Sequence, residues 1–200
     1  MLILNVAAGK FDPLPLLKEE GKLIPTFTLN VDTSYFTQSQ PAQIESEIID
    51  WDGNKDRLTV SKNLNMDIIE FMEKTSILFD RVVIYRFLEH VSFTEVEYFI
   101  YLVSTLLQKH GLVDVIVPNY IQLAEMILND DPYMPSFAQK NILLTTELLN
   151  EPSCPHASIW TTERMKYFWE LEGRFKHKAS WPAFKFDGRD IYLRSILKRL

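Results

Sequence analysis

Two residues stand first among those whose type and spacing could hold a ligand. Gly9 closes the apolar run Leu2-Ile3-Leu4-Asn5-Val6-Ala7-Ala8, and Asp32 closes a second run, Thr26 to Val31 (TFTLNV). A buried strand that delivers a tight turn beneath a ligand, with a carboxylate at the tip of the neighbouring strand, can seat a ribose: the acid accepts hydrogen bonds from two hydroxyls. Without that context, Gly9 would simply close a strand-helix turn and Asp32 would cap the residues after it.

The turn itself narrows the ligand. A dinucleotide site places glycines at the first, third and sixth positions so that the backbone can approach a pyrophosphate at a helix N-terminus. Here only Gly9 is present, and Asp12 would set a carboxylate where the pyrophosphate should lie. No Gly-Lys-Ser/Thr follows, so a Walker-type phosphate loop is excluded. A cofactor with ribose and adenine but no phosphate, such as S-adenosylmethionine, suits this loop.

The remaining reactive side chains are few. Cys154 and the scattered His90, His110, His156 and His177 supply no recognisable metal-ligand set. No Gly-x-Ser-x-Gly elbow is present to carry a covalent nucleophile. An oxygen or nitrogen acceptor in a transfer reaction must lose a proton, and a neutral imidazole can take it. His156, in a loop before a late helix, and His90, in the turn Leu88-Glu89-His90, are the candidates, with Tyr120 and Arg86 as orienting groups. His90 has a plainer reading as a packed, backbone-bonded side chain.

The elements that must position these residues alternate. Leu2 to Val6 reads as a strand buried on both faces, because it is short, continuously apolar and stops at small residues. Leu14 to Glu20 reads as a short helix after Asp12 and Pro13. Thr26 to Val31 is the second strand, and Tyr35 to Asn54 is polar and reads as a surface loop with one helical piece at most. Leu58 to Val60 is a weak third strand, Asp67 opens an amphipathic helix, and Phe79 to Tyr85 is the fourth strand. Thr94 to Leu107 is a strong helix with Thr94 as its cap, and Gly111 closes the connection to a fifth strand, Leu112 to Val117. Strand, helix and strand in this order predict right-handed crossovers and a parallel sheet. Ile121 to Asn150 has a helical pattern broken by Pro132 and Pro135. Thr161 or Thr162 opens a helix that Gly173 stops, with Trp169 or Phe168 facing inward, and Phe175 to Leu200 reads as two strands joined at Asp187-Gly188.

Five segments in order carry a family resemblance: Leu4-Asn5-Val6-Ala7-Ala8-Gly9, Leu29-Asn30-Val31-Asp32, Phe79-Asp80-Arg81-Val82-Val83, Phe87-Leu88-Glu89-His90-Val91 and Val117-Pro118-Asn119. The set resembles the small S-adenosylmethionine-dependent methyltransferases, in particular the type-11 methyltransferase-domain branch. The resemblance covers nearly the whole chain, and it rests on the ordered set, since no single motif is specific. It departs from the family pattern in having Ala7 where the first glycine of the turn usually stands.

What the resemblance implies is a Rossmann-like three-layer α/β sandwich. Its sheet would be seven-stranded and mostly parallel, ending in an antiparallel C-terminal hairpin. The chain would form one domain, 1–200, with a lid or substrate-side insertion at 119–156. Ala7, Ala8 and Gly9 would form the floor under the methionine part of the cofactor, Asn5 would be a further cofactor-binding residue, and Asp32 would hold the ribose. Asp67 would hold the adenine amino group, with Asn63 and Asn65 as competing candidates, although Asp67 reads equally as a helix N-cap. Tyr85 and Arg86 would line the site beside the methyl group, with Tyr120 and His156 on the substrate side. The implied activity is methyl transfer from S-adenosylmethionine, leaving S-adenosylhomocysteine, to a small molecule, a sugar or another modest-sized acceptor. Two other readings stand beside it: a methyltransferase-like binding or scaffold subunit with weak catalysis, and an NAD(P)-dependent oxidoreductase on a related sheet.

Composition bounds these readings. Two hundred residues at 46% hydrophobic suffice for one well-buried domain. A formal charge of -6 and a pI near 5.3 oppose a broad grip on nucleic acid. A single cysteine points to a reducing, cytoplasmic setting. The longest apolar stretch, Val96 to Leu107, is too short to span a bilayer, so no membrane role is expected. Cover for the substrate is expected from 121–150, from 35–54, from a second copy of the chain or from a partner subunit.

Overall fold

Leu2–Val6 forms the central strand, β1, because every residue from Ile3 to Val6 can be buried on both faces of a sheet, and all four are. The structure, a computed structural model, describes residues 1–6, 26–32, 45–50, 58–129, 157–186 and 189–200. The expected turn at Ala7, Ala8 and Gly9, the helix from Leu14 to Glu20, His156 and most of the expected lid (130–156) lie outside the described residues.

In chain order the strands are β1, β2 (Thr26–Val31), β3 (Glu45–Asp50), β4 (Leu58–Leu64), β5 (Phe79–Tyr85), β6 (Leu107–Pro118), β7 (Phe175–Phe186) and β8 (Arg189–Arg199). They make one sheet in the order β3-β4-β2-β1-β5-β6-β8-β7. The five strands from β4 to β6 in that order are parallel, with Leu4 opposite both Leu29 and Val82. Antiparallel strands close the sheet: β3 on one edge, the β8-β7 hairpin on the other. The α/β architecture, the mostly parallel sheet and the C-terminal hairpin agree with expectation.

Two differences at the sheet edges have physical causes. The segment read as a surface loop contains β3, so among the described residues the sheet has eight strands. An edge strand is paired on one side only and needs no continuous apolar run, and ESEIID has none. The weak third strand extends to Leu64 because it is paired on both sides, to β2 and to β3.

Among the described residues the helices are α1 (Ile68–Lys74), α2 (Val96–Leu106), α3 (Tyr120–Leu128) and α4 (Thr162–Glu170). Thr94 does not cap α2, because Ser92 takes over the turn. The Ser92 carbonyl accepts from the N–H groups of Glu95 and Val96, and its hydroxyl engages Thr94 Oγ1 at 2.9 Å and Glu95 Oε2 at 2.6 Å. Thr161 caps α4 as expected, accepting from Arg164 N at 3.3 Å, and Gly173 turns the chain with a φ of 67° that favours glycine.

The passage from α2 to β6 is tighter than expected. The strand starts at Leu107, directly after the helix, and its pairing with β5 jumps from Phe79↔Leu107 to Arg81↔Leu112. His110 takes a left-handed φ of 68° in this irregular stretch. Gly111 is required for space: a Cβ there would lie 2.9 Å from Leu107 Cδ2 and 3.0 Å from the carbonyl oxygen of Asp80.

The core gathers residues of β1, β5 and β6 with those of α2 and α4, around Val82, Ile84, Phe99, Val103, Trp160 and Trp169, and α4 packs on the β7-β8 hairpin. Trp169 is the inward residue of the aromatic series, while Phe168 packs on the core's edge, stacked on Phe93 with centroids 5.3 Å apart. Polar groups also join the sheet. Asp114 on β6 accepts from Arg194 Nε at 2.8 Å and from Arg81 Nε, so one buried carboxylate ties β5, β6 and β8 together.

Candidate functional site

Parallel strands end on the same side, so the carboxyl ends of β1, β2, β4, β5 and β6 form one rim. The chain leaves β1 towards β2 and β4 and then returns to place β5 on β1's other side. Such a reversal of strand order opens a crevice at the carboxyl ends, the usual ligand position in open α/β sheets.

Asp32 stands on this rim, just past β2. Its backbone N–H donates to Leu64 O at 3.2 Å, fixing it against the end of β4, and the residue is only 8% exposed. Asn5 lies one position inside the rim on β1, fully buried. Its Nδ2 donates to Asn30 Oδ1 at 2.9 Å, across the registered pair Asn5↔Asn30. Asn5 thus clamps β1 to β2 beneath the turn expected to form the cofactor floor.

Asp67 follows β4 and is exposed. Its side chain accepts from Glu70 N at 3.0 Å as the N-cap of α1, which is the helix-capping reading of this residue. The carboxylate is nevertheless on the rim side of β4, where the expected adenine contact would be made.

A second group gathers at the ends of β5 and β6. Tyr85 ends β5, and Arg86 follows with a left-handed φ of 52°, its N–H donating to Ile116 O of β6 at 2.9 Å. Arg86 Cζ lies 5.9 Å from the centroid of the Tyr192 ring, and the Tyr85 and Tyr192 rings are 6.3 Å apart. Tyr120 opens α3 after β6 and is buried. Tyr85 and Arg86 thus lie beside Tyr192, and Tyr120 is near enough to Arg86 to feel its charge. His90 ends the 3-10 turn Leu88–His90, half-buried, with its N–H on Phe87 O.

Sequence reasoning passes over two members of this group, Tyr192 and Glu89. Glu89 is fully buried, and among the described residues neither carboxyl oxygen has a hydrogen-bond partner. Its backbone carbonyl is well used, accepting from Ala157 N at 2.8 Å and Ser158 N at 3.0 Å. Leu88 O similarly takes Ser158 Oγ at 3.0 Å and Trp160 Nε1 at 3.1 Å. Loss of solvent pushes the Glu89 carboxyl up to about 7; its own backbone N–H, which makes no full hydrogen bond to it, and the Arg86 guanidinium pull the other way. Burial, reinforced by the Glu89 charge, pushes Tyr120 up, and burial raises Tyr192 too. The available signal was an acid enclosed by apolar Leu88 and Val91 in FLEHV. Tyr192 gave none.

The chemistry of the rim is divided. The β2 side presents a carboxylate suited to vicinal hydroxyls. The β5-β6 side presents phenols that remain protonated, a guanidinium and a carboxyl poised to exchange a proton near neutrality. Among the described residues no three His, Cys, Asp or Glu side chains gather to hold a metal, and no helix is long and apolar enough to cross a membrane.

No protein-family model and no curated protein sequence matches the chain. Solved structures do. A SAM-dependent methyltransferase from Archaeoglobus fulgidus superimposes with a TM-score of 0.53 at 15% identity, over 99% of this chain and 86% of that one. A SAM-dependent methyltransferase from Methanosarcina mazei gives 0.56 at 15% identity, over 100% and 92%. The 1,6-didemethyltoxoflavin-N1-methyltransferase of Burkholderia thailandensis, solved with its acceptor and S-adenosylhomocysteine, gives 0.54 at 12% identity, over 99% and 70%. The strand order, the hairpin edge and these whole-chain superpositions agree: the chain has the Rossmann-like fold of the S-adenosylmethionine-dependent methyltransferases.

Proposed function

We propose that this protein is an S-adenosylmethionine-dependent methyltransferase acting on a small molecule, a saccharide or another modest-sized acceptor. The observation that carries the reading is Asp32, a carboxylate held at the end of β2 beside the central β1, at the reversal of strand order. It suits a ribose, and the sequence around the adjoining turn disfavours a pyrophosphate. The Burkholderia enzyme, which has the same fold, was solved with a small heterocyclic acceptor, and this supports an acceptor of that size.

When bound, the cofactor supplies an electrophilic methyl group on a sulfonium. The protein's own part is to hold and orient. Asp32 accepts from the ribose hydroxyls, Ala7, Ala8 and Gly9 form the floor with Asn5 bracing β1 from below, and Asp67 reaches the adenine amino group. Tyr85 and Arg86 line the methyl end, and Tyr120 and His156 face the acceptor. Holding two reactants at attack distance and in line supplies most of the acceleration such a reaction needs, since no strong acid is required at the leaving sulfur.

Titration calorimetry with S-adenosylmethionine, S-adenosylhomocysteine and NAD tests this reading. Heat with both sulfur compounds, weakened about tenfold or more by Asp32→Ala through the lost ribose contacts, is the expected result. Heat with NAD alone would turn the reading towards an oxidoreductase, and no heat with either sulfur compound would overturn it.

A further inference from the structure

Glu89 is a carboxyl with four acceptor positions and, among the described residues, no donor. A buried polar group without a partner is uncommon in a folded protein, and a ligand that brings the missing donor is one established reason for it. Among the described residues, the charged and titratable neighbours that bear on this carboxyl belong to the rim. Arg86 comes from the end of β5, Tyr120 from the start of α3, Tyr192 from β8, and His90 is its chain neighbour. The segment bonded to its backbone, 157–160, carries no ionisable side chain. The turn Leu88–His90 is fastened by Ala157, Ser158 and Trp160, so Glu89 is held by its backbone while, among the described residues, its side chain makes no hydrogen bond.

We propose that Glu89 is the proton acceptor of the methyl-transfer site, its carboxylate set against the point where the methyl group changes hands, and that the acceptor atom is therefore a protic oxygen or nitrogen. This rests on the methyltransferase reading above. The acceptor's lone pair forms the new bond to the methyl carbon, the carbon-sulfur bond breaks with its electron pair staying on sulfur, and the acceptor's O–H or N–H proton passes to Glu89, which returns it to solvent. The acid-base range of Glu89 matches such a role, because a base titrating near the working pH combines a useful ionised fraction with proton affinity. Arg86 and the Tyr192 and Tyr120 hydroxyls orient the acceptor around it.

Three ligands of one scaffold read this out without knowledge of the acceptor. S-adenosylhomocysteine is neutral at the reacting centre, S-adenosylmethionine carries a sulfonium there, and sinefungin carries an ammonium group that is both charged and protic. With wild-type protein, affinity relative to S-adenosylhomocysteine should rise for S-adenosylmethionine, and by about tenfold or more for sinefungin, between about pH 5.5 and about pH 8 as Glu89 ionises. Glu89→Gln should abolish both gains while binding S-adenosylhomocysteine as before, which also subtracts titration of the ligands' own amino groups. Glu89→Asp should retain part of the gain. Equal ligand ratios in wild type and Glu89→Gln, or a Glu89→Gln loss shared by all three ligands, would overturn the proposal. Failure of wild-type protein to bind any of the three would instead overturn the cofactor reading on which it rests.

Discussion

An ionised carboxylate without a partner is costly to bury, and the cost depends on pH because the group can shed its charge by taking a proton. Glu89 is raised from 4.5 in the unfolded chain to about 7 in the fold. Between those values the folded protein holds a proton that the unfolded chain has released, so this residue makes stability fall as pH rises from about 4.5 and level off above about 7. The shift corresponds to roughly 3 kcal/mol. Glu89→Gln keeps the shape and removes the charge. In urea unfolding it should match wild type within about 1 kcal/mol near pH 4.5, and exceed wild type by roughly 3 kcal/mol near pH 8. A variant less stable than wild type at the higher pH would show that the ionised carboxylate has a donor in the native protein. The stabilised variant would be the one expected to lose ligand discrimination, the opposition between stability and function found where strain serves a site.

At the scale of elements, the sequence showed what burial dictates and hid what pairing dictates. β1, β5 and α4 were legible because their residues face a core: LILNV and FDRVVIY are strand-like runs, and Thr161 and Gly173 mark the ends of α4. β3 was not legible, since its backbone bonds to β4 make it a strand while its residues are largely polar. Glu89 was missed for the same kind of reason, as its role depends on what encloses it and not on its place in a motif. Asp67 could be read both as a cap and as a cofactor ligand, and the structure supplies the cap. Two substitutions test the element boundaries. Thr161→Ala should cost about 1 kcal/mol by removing the acceptor at Arg164 N, while Thr162→Ala should change little. Gly111→Ala should cost about 1–3 kcal/mol, because its Cβ would press on the Asp80 carbonyl, a backbone atom that cannot turn aside. Thermal unfolding of both variants against wild type would check the order.

For the whole molecule, the question is how an antiparallel hairpin stays joined to a parallel sheet whose rim holds the site. Apolar burial continues across the junction through Val113, Val115, Leu193 and Leu197, and backbone pairing runs from Leu112↔Lys198 to Pro118↔Tyr192. The buried charges add something that apolar residues would not, a fixed register. Asp114 reaches Arg81 on one neighbouring strand and Arg194 on the other, and the Arg194 guanidinium also lies 4.9 Å from the Trp181 ring of β7. A one-residue slip of β8 would turn Arg194 to the other face and break this chain of contacts. Replacing a buried ion pair as a set can be nearly neutral, but removing one member leaves charge uncompensated and costs about 3–5 kcal/mol. Asp114→Ala strips the shared carboxylate from two buried guanidinium groups, so it should fall at the upper end of that range, whereas Asp114→Asn keeps an acceptor and should cost less. The loss should be uneven: amide hydrogen exchange should accelerate first in β7 and β8, later in β1 and β2, because the hairpin's pairing to the sheet runs through this junction while β1 and β2 lie beyond it. Since Tyr192 sits on β8 beside Arg86, a loosened hairpin should also weaken the β5-β6 side of the rim while Asp32 keeps its place against Leu64. Asp114→Asn should therefore still bind S-adenosylhomocysteine and lose its preference for sinefungin. Uniform exchange across all eight strands would show that the sheet opens as one unit and that the clamp has no local role.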